Sequence, residues 1–192
     1  DQMRNDKVLA EDKIRIGFVG GGLNSFIGFS HRVAARFDNR FVCVAGVFSS
    51  DQKKSNKFSV GLGLDPSRTY SNYQEMAKVE NERSDGIEAV GIMTPAGDHY
   101  AIASEFIKNN VHVICDKPLT ATLEDAYKLK NLVEEKNIIF ALTHNYSAYP
   151  MLREAKQLVR EGKVGDIRLI NVEYPQGHTA GLKESEAETN LK

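Results

Sequence analysis

The stretch that decides the fold is Gly20-Gly21-Gly22-Leu23-Asn24-Ser25-Phe26-Ile27-Gly28, which directly follows the apolar run 13–19 and precedes an apolar helical pattern. A strand, a glycine-rich turn and a helix in this order are typical of dinucleotide folds. Gly20 fits the glycine that permits the tight turn, and Gly22 fits the one that lets the backbone approach a pyrophosphate. The third glycine position falls at Ser25, and Gly28 can give close helix–strand packing instead. A glycine-rich loop without a ligand is the alternative, but the position of this one favours a nucleotide site.

Short apolar runs alternate with helical patterns from residue 13 onward. Nearly continuous hydrophobic runs are expected when helices cover both faces of a parallel sheet. Helix starts are indicated by Asp51, by Asp98, and by Thr122 followed by Asp125, which resembles a capping box. The pattern predicts an α/β fold, a Rossmann-type doubly wound parallel sheet. Its strands are predicted at 13–19, 41–48, 68–70, 87–93, 111–115 and 138–143.

The pattern changes after Thr143. Pro150 opens a long helical segment that should stop around Gly162 or Gly165, and the alternation at 167–174 predicts a strand with one exposed face. Because one strand cannot form a stable sheet alone, we expect this second, α+β domain to be incomplete. The predicted organisation is a flexible arm at 1–12, a nucleotide-binding Rossmann domain at 13–146, and the start of a truncated substrate and oligomerisation domain at 147–192.

Composition excludes several classes of function. The chain is 41% hydrophobic and 27% charged with a net charge of −1, which is typical of a soluble globular protein and favours neither nucleic acid nor an anionic membrane as partner. No apolar run approaches the roughly 20 residues needed to span a bilayer, and a cytoplasmic location is expected. Cys43 and Cys115 lie in apolar runs, which favours buried thiols over a disulfide, and neither has the spacing of a metal site.

The end of the second predicted strand bears on the cofactor. An acidic residue there binds the ribose 2′-hydroxyl of NAD, whereas its absence beside cations accommodates the 2′-phosphate of NADP. Ser49 occupies the acidic position, while Asp51 is better explained as a helix cap. Lys53 and Lys54 follow, although they could form only a solvated helix face. These residues favour NADP over NAD.

Two further segments carry a family resemblance. Thr94-Pro95-Ala96-Gly97-Asp98-His99 and Asp116-Lys117-Pro118 resemble the TPxxxH and EKP elements of the glucose–fructose oxidoreductase and inositol dehydrogenase (Gfo/Idh/MocA) family. The resemblance extends over about 14–177. Asp116 replaces the usual Glu, Ala96 replaces a common Asn, and the turn has the longer form of one subgroup.

The resemblance implies an NAD(P)-dependent oxidoreductase that transfers a hydride between nicotinamide and a secondary alcohol or ketone of a sugar, inositol or related polyol. Lys117 would lie near the nicotinamide and polarise the substrate oxygen as the catalytic residue, although a lysine at a strand end is often only a surface residue. A cis peptide is expected at Pro118. A homo-oligomer is expected for the full-length protein, and no metal.

The cofactor-binding residues expected from the turn, the strand ends and the resemblance form one set. His99 could equally only begin a helix, and Asn145 belongs to a His-Asn-Tyr segment that resembles one near the nicotinamide end. The set is Gly20, Gly22, Ser25, Phe26, Ile27, Ser49, Ser50, Lys54, Thr94, Pro95, His99, Asp116, Lys117 and Asn145.

Alternative functions stay open at this point. The Asp and His that the family carries in its second domain have no match after Gly177. A noncatalytic dinucleotide sensor or regulator on the same fold is therefore the main alternative. Retention of Lys117 favours the enzyme, and the Asp116-Lys117-Pro118 element disfavours a flavodoxin-like or methyl-donor-binding domain.

Overall fold

Five parallel strands form one sheet in the order β2-β1-β3-β4-β5. The chain leaves β1 towards β2 on one side and returns to β3 on the other, so the order reverses beside β1. Ligands in open α/β sheets bind at such a switch point, outside the carboxyl ends of the strands. The predicted doubly wound Rossmann sheet is confirmed. The strands are β1 Ile14–Gly20, β2 Phe41–Val47, β3 Ala89–Met93, β4 His112–Asp116 and β5 Phe140–Thr143.

The computed structural model describes residues 13–175, and the predicted arm at 1–12 lies outside them, as does the predicted second domain beyond 175. Two compact units divide the chain, the first ending at Asn145 and the second beginning at Tyr146. The α-helices are α1 Phe26–Phe37, α2 Gln52–Gly61, α3 Tyr73–Glu82, α4 His99–Lys108, α5 Leu123–Lys136 and α6 Pro150–Arg160.

Local side-chain hydrogen bonds explain where two of these helices begin. The Asp51 carboxylate accepts from the backbone N–H groups of Lys53 and Lys54 at 2.9 and 3.3 Å. Thr122 Oγ1 accepts from the Asp125 N–H at 3.1 Å. Both satisfy N–H groups that a helix start leaves without partners, and both confirm the predicted caps.

The core of the first unit lies on both faces of the sheet. All five residues of β3 are buried, because helices cover a parallel sheet on both sides. Phe106 and Ile107 of α4 pack against one face with Val90, while Phe18 and Ile16 lie in the cluster on the other. Cys43 and Cys115 are free thiols, as expected.

The strand predicted at 68–70 is wrong. Pro66–Arg68 forms a 3₁₀ turn, capped by the Asp65 carboxylate. Among residues 13–175, only a single bridge from Thr69 to Gly46 extends the sheet beyond β2. Proline lacks an N–H for a strand ladder. Furthermore, the Arg68 side chain turns inward to the Glu80 carboxylate. The bridge nevertheless lies on the side of β2 where a further strand would continue the strand order of a Rossmann fold.

In the second unit, α6 confirms the predicted helix, and Gly162 and Gly165 follow it with φ of +69° and +65°. The strand predicted at 167–174 is wrong, since this segment has no regular secondary structure. A strand is stable only when a neighbour pairs with its backbone, and the described residues of this unit contain no such neighbour. Apolar side chains at 167–174 are therefore exposed, Leu169 by 85%.

None of the helices described between residues 13 and 175 combines the length and the apolar character required to cross a bilayer.

Candidate functional site

The glycine turn lies at the switch point of the sheet. Gly20 pairs with Met93 of β3 and has φ of +83°, a left-handed conformation that favours glycine. A Cβ on Gly28 would lie 2.2 Å from the Gly21 carbonyl oxygen, so α1 packs directly on the turn. Close packing by Gly28, proposed from the sequence, is therefore observed.

A cleft of about 820 Å³ opens beside this turn, within the size range of ligand sites. It brings together four residues of the expected set, namely Gly22, Ser25, Ser49 and Lys54. Ser25 also caps α1, since its hydroxyl oxygen accepts from the Gly28 N–H at 3.1 Å. The complete lining is Gly22, Leu23, Asn24, Ser25, Phe48, Ser49, Lys54, Lys57, Phe58, Gly61 and Leu62.

Buried serines fix α2, the helix that carries two lysines to the cleft. The Ser55 hydroxyl accepts from the Phe48 N–H at 3.0 Å, and the Ser59 hydroxyl accepts from Thr69 Oγ1 at 2.7 Å. Both serines are at most 1% exposed. The helix is thereby held against the end of β2, and its lysines occupy a defined edge of the cleft.

Lys57 is a lining residue that the sequence analysis missed. It follows Lys54 by three residues, and residues at that spacing share one face of a helix. This spacing was a usable signal in the sequence. Lys54 Nζ lies 3.9 Å from the Asp51 carboxylate, and its side chain is 77% exposed, so this ion pair is weak.

Arg32 of α1 was also missed. Its guanidinium donates to the Gly21 carbonyl oxygen, and its central carbon lies 4.9 Å from the centroid of the Phe58 ring. A cation–π contact of this geometry stabilises the joint between the glycine turn and α2. No sequence signal pointed to it, because the contact joins two helices far apart in the chain.

Asp116 organises the turn after β4. Its Oδ1 accepts from Thr143 Oγ1 at 2.7 Å and from the Lys117 N–H at 3.0 Å. The Lys117 side chain is exposed, and it enters none of the ion pairs recorded among residues 13–175. Its bond to Pro118 is cis, as predicted. The ammonium of Lys117 is therefore available at the carboxyl edge of the sheet.

Of the two expectations for His99, a cofactor contact or only a helix start, the structure shows the helix start, and His99 is absent from the cleft lining. Its ring is 1% exposed and begins α4, with Nδ1 2.7 Å from the Pro118 carbonyl oxygen and Nε2 2.9 Å from that of Thr94. It thus links the segments that follow β3 and β4. Thr94 Oγ1 is buried, and no partner for it occurs among residues 13–175.

The remaining expected residues do not gather at the cleft. Ile27 and Asn145 line a separate pocket of about 280 Å³ beneath α1. Phe26 is 84% exposed, whereas Ser50 and Pro95 are exposed and absent from the cleft lining. Phe26 and Ile27 are absent from the cleft lining although Ser25 belongs to it, because successive residues at a helix start point in different directions.

His31 also lines this smaller pocket and had no role in the sequence analysis. Burial lowers the pKa of His31, and the charge of Asp116 opposes that effect. The ring therefore lies within electrostatic reach of the carboxylate that fixes the Lys117 turn. A lone histidine within an apolar helix gave no sequence signal for this proximity.

Known proteins resemble this arrangement over nearly the whole described chain. An uncharacterised oxidoreductase of Bacillus subtilis, YfiI, is 39% identical over 179 residues, which are 93% of this chain and 46% of that protein. The crystal structure of an oxidoreductase from Sinorhizobium meliloti is 51% identical with a TM-score of 0.75, covering 81% of this chain and 44% of that one. An inositol dehydrogenase homologue from Azotobacter vinelandii, complexed with NADH and myo-inositol, is 39% identical with a TM-score of 0.79, covering 82% and 41%.

These matches also define how much of a relative the chain represents. It spans less than half the length of each of the three proteins. Residues 14–144 match the model of the oxidoreductase family with the NAD-binding Rossmann fold. That range contains the glycine turn, the cleft and the Lys117 turn. The chain therefore belongs to the Gfo/Idh/MocA oxidoreductase family and contains its NAD-binding Rossmann fold.

Proposed function

We propose that this chain is the cofactor-binding part of an NAD(P)-dependent oxidoreductase that acts on a secondary alcohol or ketone of a sugar, inositol or related polyol. The observation that carries the proposal is the cleft beside the glycine turn, with Lys117 exposed on the turn after β4 at the same edge of the sheet. The myo-inositol named with the Azotobacter vinelandii homologue supports a polyol as substrate. A homo-oligomer of the full-length protein belongs to the same proposal.

The residues around the cleft fit a dinucleotide. Gly22 lines the cleft and approaches the Phe48 carbonyl so closely that a Cβ would lie 2.4 Å from that oxygen, so this position favours glycine. The buried Thr94 hydroxyl has no partner among residues 13–175, so it is free to bond a ligand at the end of β3. Both features suit a cofactor that extends from the end of β2 towards β4.

The residues at the end of β2 support a preference for NADP over NAD. Ser49, Lys54 and Lys57 all line the cleft, and a hydroxyl with two ammonium groups suits a 2′-phosphate. The Asp51 carboxylate is engaged by two backbone N–H groups of α2. It is therefore a cap rather than an acceptor for the ribose. The Azotobacter vinelandii homologue is complexed with NADH, which is a precedent for the opposite preference, NAD over NADP.

When bound, nicotinamide supplies or accepts the hydride at its C4 carbon. The contribution of Lys117 is to donate a hydrogen bond from its ammonium to the substrate oxygen. When a ketone accepts the hydride, this bond stabilises the negative charge that develops on the oxygen, which then takes up a proton from the ammonium or from solvent. The Asp116 carboxylate accepts from the Lys117 backbone N–H and from the Thr143 hydroxyl, so it holds the Lys117 backbone while the side chain acts.

The proposal is tested by titrating the purified chain with NADPH and with NADH, following cofactor fluorescence. Lys54→Ala and Lys57→Ala should each weaken NADPH binding by about fivefold, equivalent to about 1 kcal/mol for an exposed lysine–phosphate pair. Neither should change NADH binding by as much. Lys53→Ala is the matched control, because Lys53 is exposed on α2 but absent from the cleft lining.

Each outcome has a definite meaning. Equal affinity for both cofactors, or stronger NADH binding, would contradict the NADP preference and leave the dinucleotide site intact. Failure of the unmodified chain to bind either cofactor would contradict the proposed site. In the full-length protein, cofactor binding without oxidation of NADPH by any ketose or inosose, with Lys117→Met behaving identically, would favour the noncatalytic sensor.

A further inference from the structure

His99 lies between two backbone carbonyl groups, one on the segment after β3 and one on the segment after β4. Its Nδ1 is 2.7 Å from the Pro118 oxygen and its Nε2 is 2.9 Å from the Thr94 oxygen. Carbonyl oxygens only accept hydrogen bonds, so each ring nitrogen must donate to form its bond. His99 is 1% exposed, so the two carbonyl groups are the close polar partners of its ring nitrogens.

A neutral imidazole cannot satisfy both contacts. It carries one N–H, so its second nitrogen would direct a lone pair at a carbonyl oxygen less than 3 Å away. An imidazolium carries two N–H groups and satisfies both. The charged residues on the adjoining segments are Asp98, directly before the ring, and Asp116 and Lys117, directly before Pro118.

We propose that His99 is a positioning residue that carries two ring protons and ties the segment after β4 to the segment after β3. The Pro118 carbonyl that it holds follows Lys117 directly. On the other side of Lys117, Asp116 Oδ1 accepts the Lys117 N–H. Hydrogen bonds thus hold the turn on both sides of Lys117, and His99 makes the one on the Pro118 side. The inference rests on the proposed function, in which Lys117 meets the substrate oxygen beside the nicotinamide.

Two substitutions separate this role from simple filling of the core. His99→Phe keeps an aromatic ring but removes both donors, whereas His99→Gln retains an amide donor for one carbonyl. His99→Phe should weaken NADPH binding by about tenfold, the equivalent of one hydrogen bond from a charged group. His99→Gln should restore part of that loss. The matched control is His112→Gln, because His112 accepts a hydrogen bond from the Ile139 N–H at the opposite edge of the same sheet.

The second measurement is NMR of the full chain without cofactor, with ¹⁵N-labelled histidine. The expected result is two protonated ring nitrogens on His99 near neutral pH, and a displaced Lys117 amide resonance in both His99 variants but not in His112→Gln. A His99 ring with one proton, or an unmoved Lys117 amide in a folded His99→Phe, would overturn the inference. If His99→Phe does not fold, the positioning role of His99 is judged from His99→Gln and from the ring signals of the unmodified chain.

These readouts separate the inference from the proposed function. The ring protons and the Lys117 amide are observed without cofactor, so they judge the positioning role even if the unmodified chain binds neither NADPH nor NADH. Conversely, normal cofactor binding combined with a singly protonated His99 would retain the site and reject the positioning role.

Discussion

Replacing Glu80 with Gln should destabilise the first unit strongly, because a buried ionic network converges on this carboxylate. The Glu80 side chain is 0% exposed and that of Arg68 is 7% exposed. One carboxylate oxygen accepts from Arg68 Nε at 3.0 Å and from the Tyr70 hydroxyl at 2.7 Å. The other accepts from the Ile87 N–H at 3.1 Å and from a second nitrogen of Arg68. Burial and the nearby carboxylate raise the pKa of Tyr70, so its phenol stays a donor at neutral pH.

The magnitude follows from these four bonds. A glutamine has one acceptor oxygen, so its amide nitrogen would face two of the four donors. Each lost bond costs about 1 kcal/mol, and one to a charged guanidinium costs more. Leaving a buried cation without its partner costs about 3–5 kcal/mol in total. Asp85, whose carboxylate lies 3.5 Å from Arg68, compensates in part, so we expect a loss of about 3 kcal/mol.

The assay is urea unfolding of the full chain at neutral pH, followed by near-ultraviolet circular dichroism of its tyrosines. Glu82→Gln is the matched control, because Glu82 is exposed on the same helix and should change the free energy of unfolding by less than about 0.5 kcal/mol. A loss below about 1 kcal/mol for Glu80→Gln, with an unchanged slope against urea, would refute the reasoning.

Two further predictions concern the glycine turn and a thiol. Gly28→Ala should lower the melting temperature and weaken cofactor binding despite the helix propensity of alanine, because the new Cβ would lie 2.2 Å from the Gly21 carbonyl oxygen. Gly97→Ala, with no atom within 4 Å, is its control, and equal melting temperatures would contradict the packing argument. Burial raises the pKa of Cys43 to about 11, so its alkylation rate should rise with pH throughout the range from about 7 to 10, as the thiolate fraction grows. A plateau in that rate below about pH 9 would refute the shift.

Much of the fold could be predicted because its signals are local. The strand, the glycine turn and the helix after it are consecutive in the chain, and the caps at Asp51 and Thr122 join residues two or three positions apart. Five of the predicted strands were found because buried parallel strands are nearly continuous apolar runs. The errors at 68–70 and 167–174 occurred where strand formation depends on a distant partner.

The candidate site likewise contains residues that local sequence patterns predict and residues whose position depends on distant partners. Gly20, Gly22, Ser49 and Lys117 could be chosen from motif and position, since each follows the end of a parallel strand and parallel strands end at one edge. Nothing in the sequence indicated that Arg32 reaches the Gly21 carbonyl.

By itself, the sequence determined the order of the elements, the family and the edge of the sheet where chemistry can occur, because hydrophobic period, turn residues and caps act over a few neighbouring residues. Only the tertiary structure decided that Arg32 reaches the glycine turn, that Ile27 lines a different pocket, and that His99 lies between two carbonyl groups. These outcomes depend on helix rotation and on loop approach across the sheet. Both are set by packing between segments distant in sequence, which no local pattern encodes.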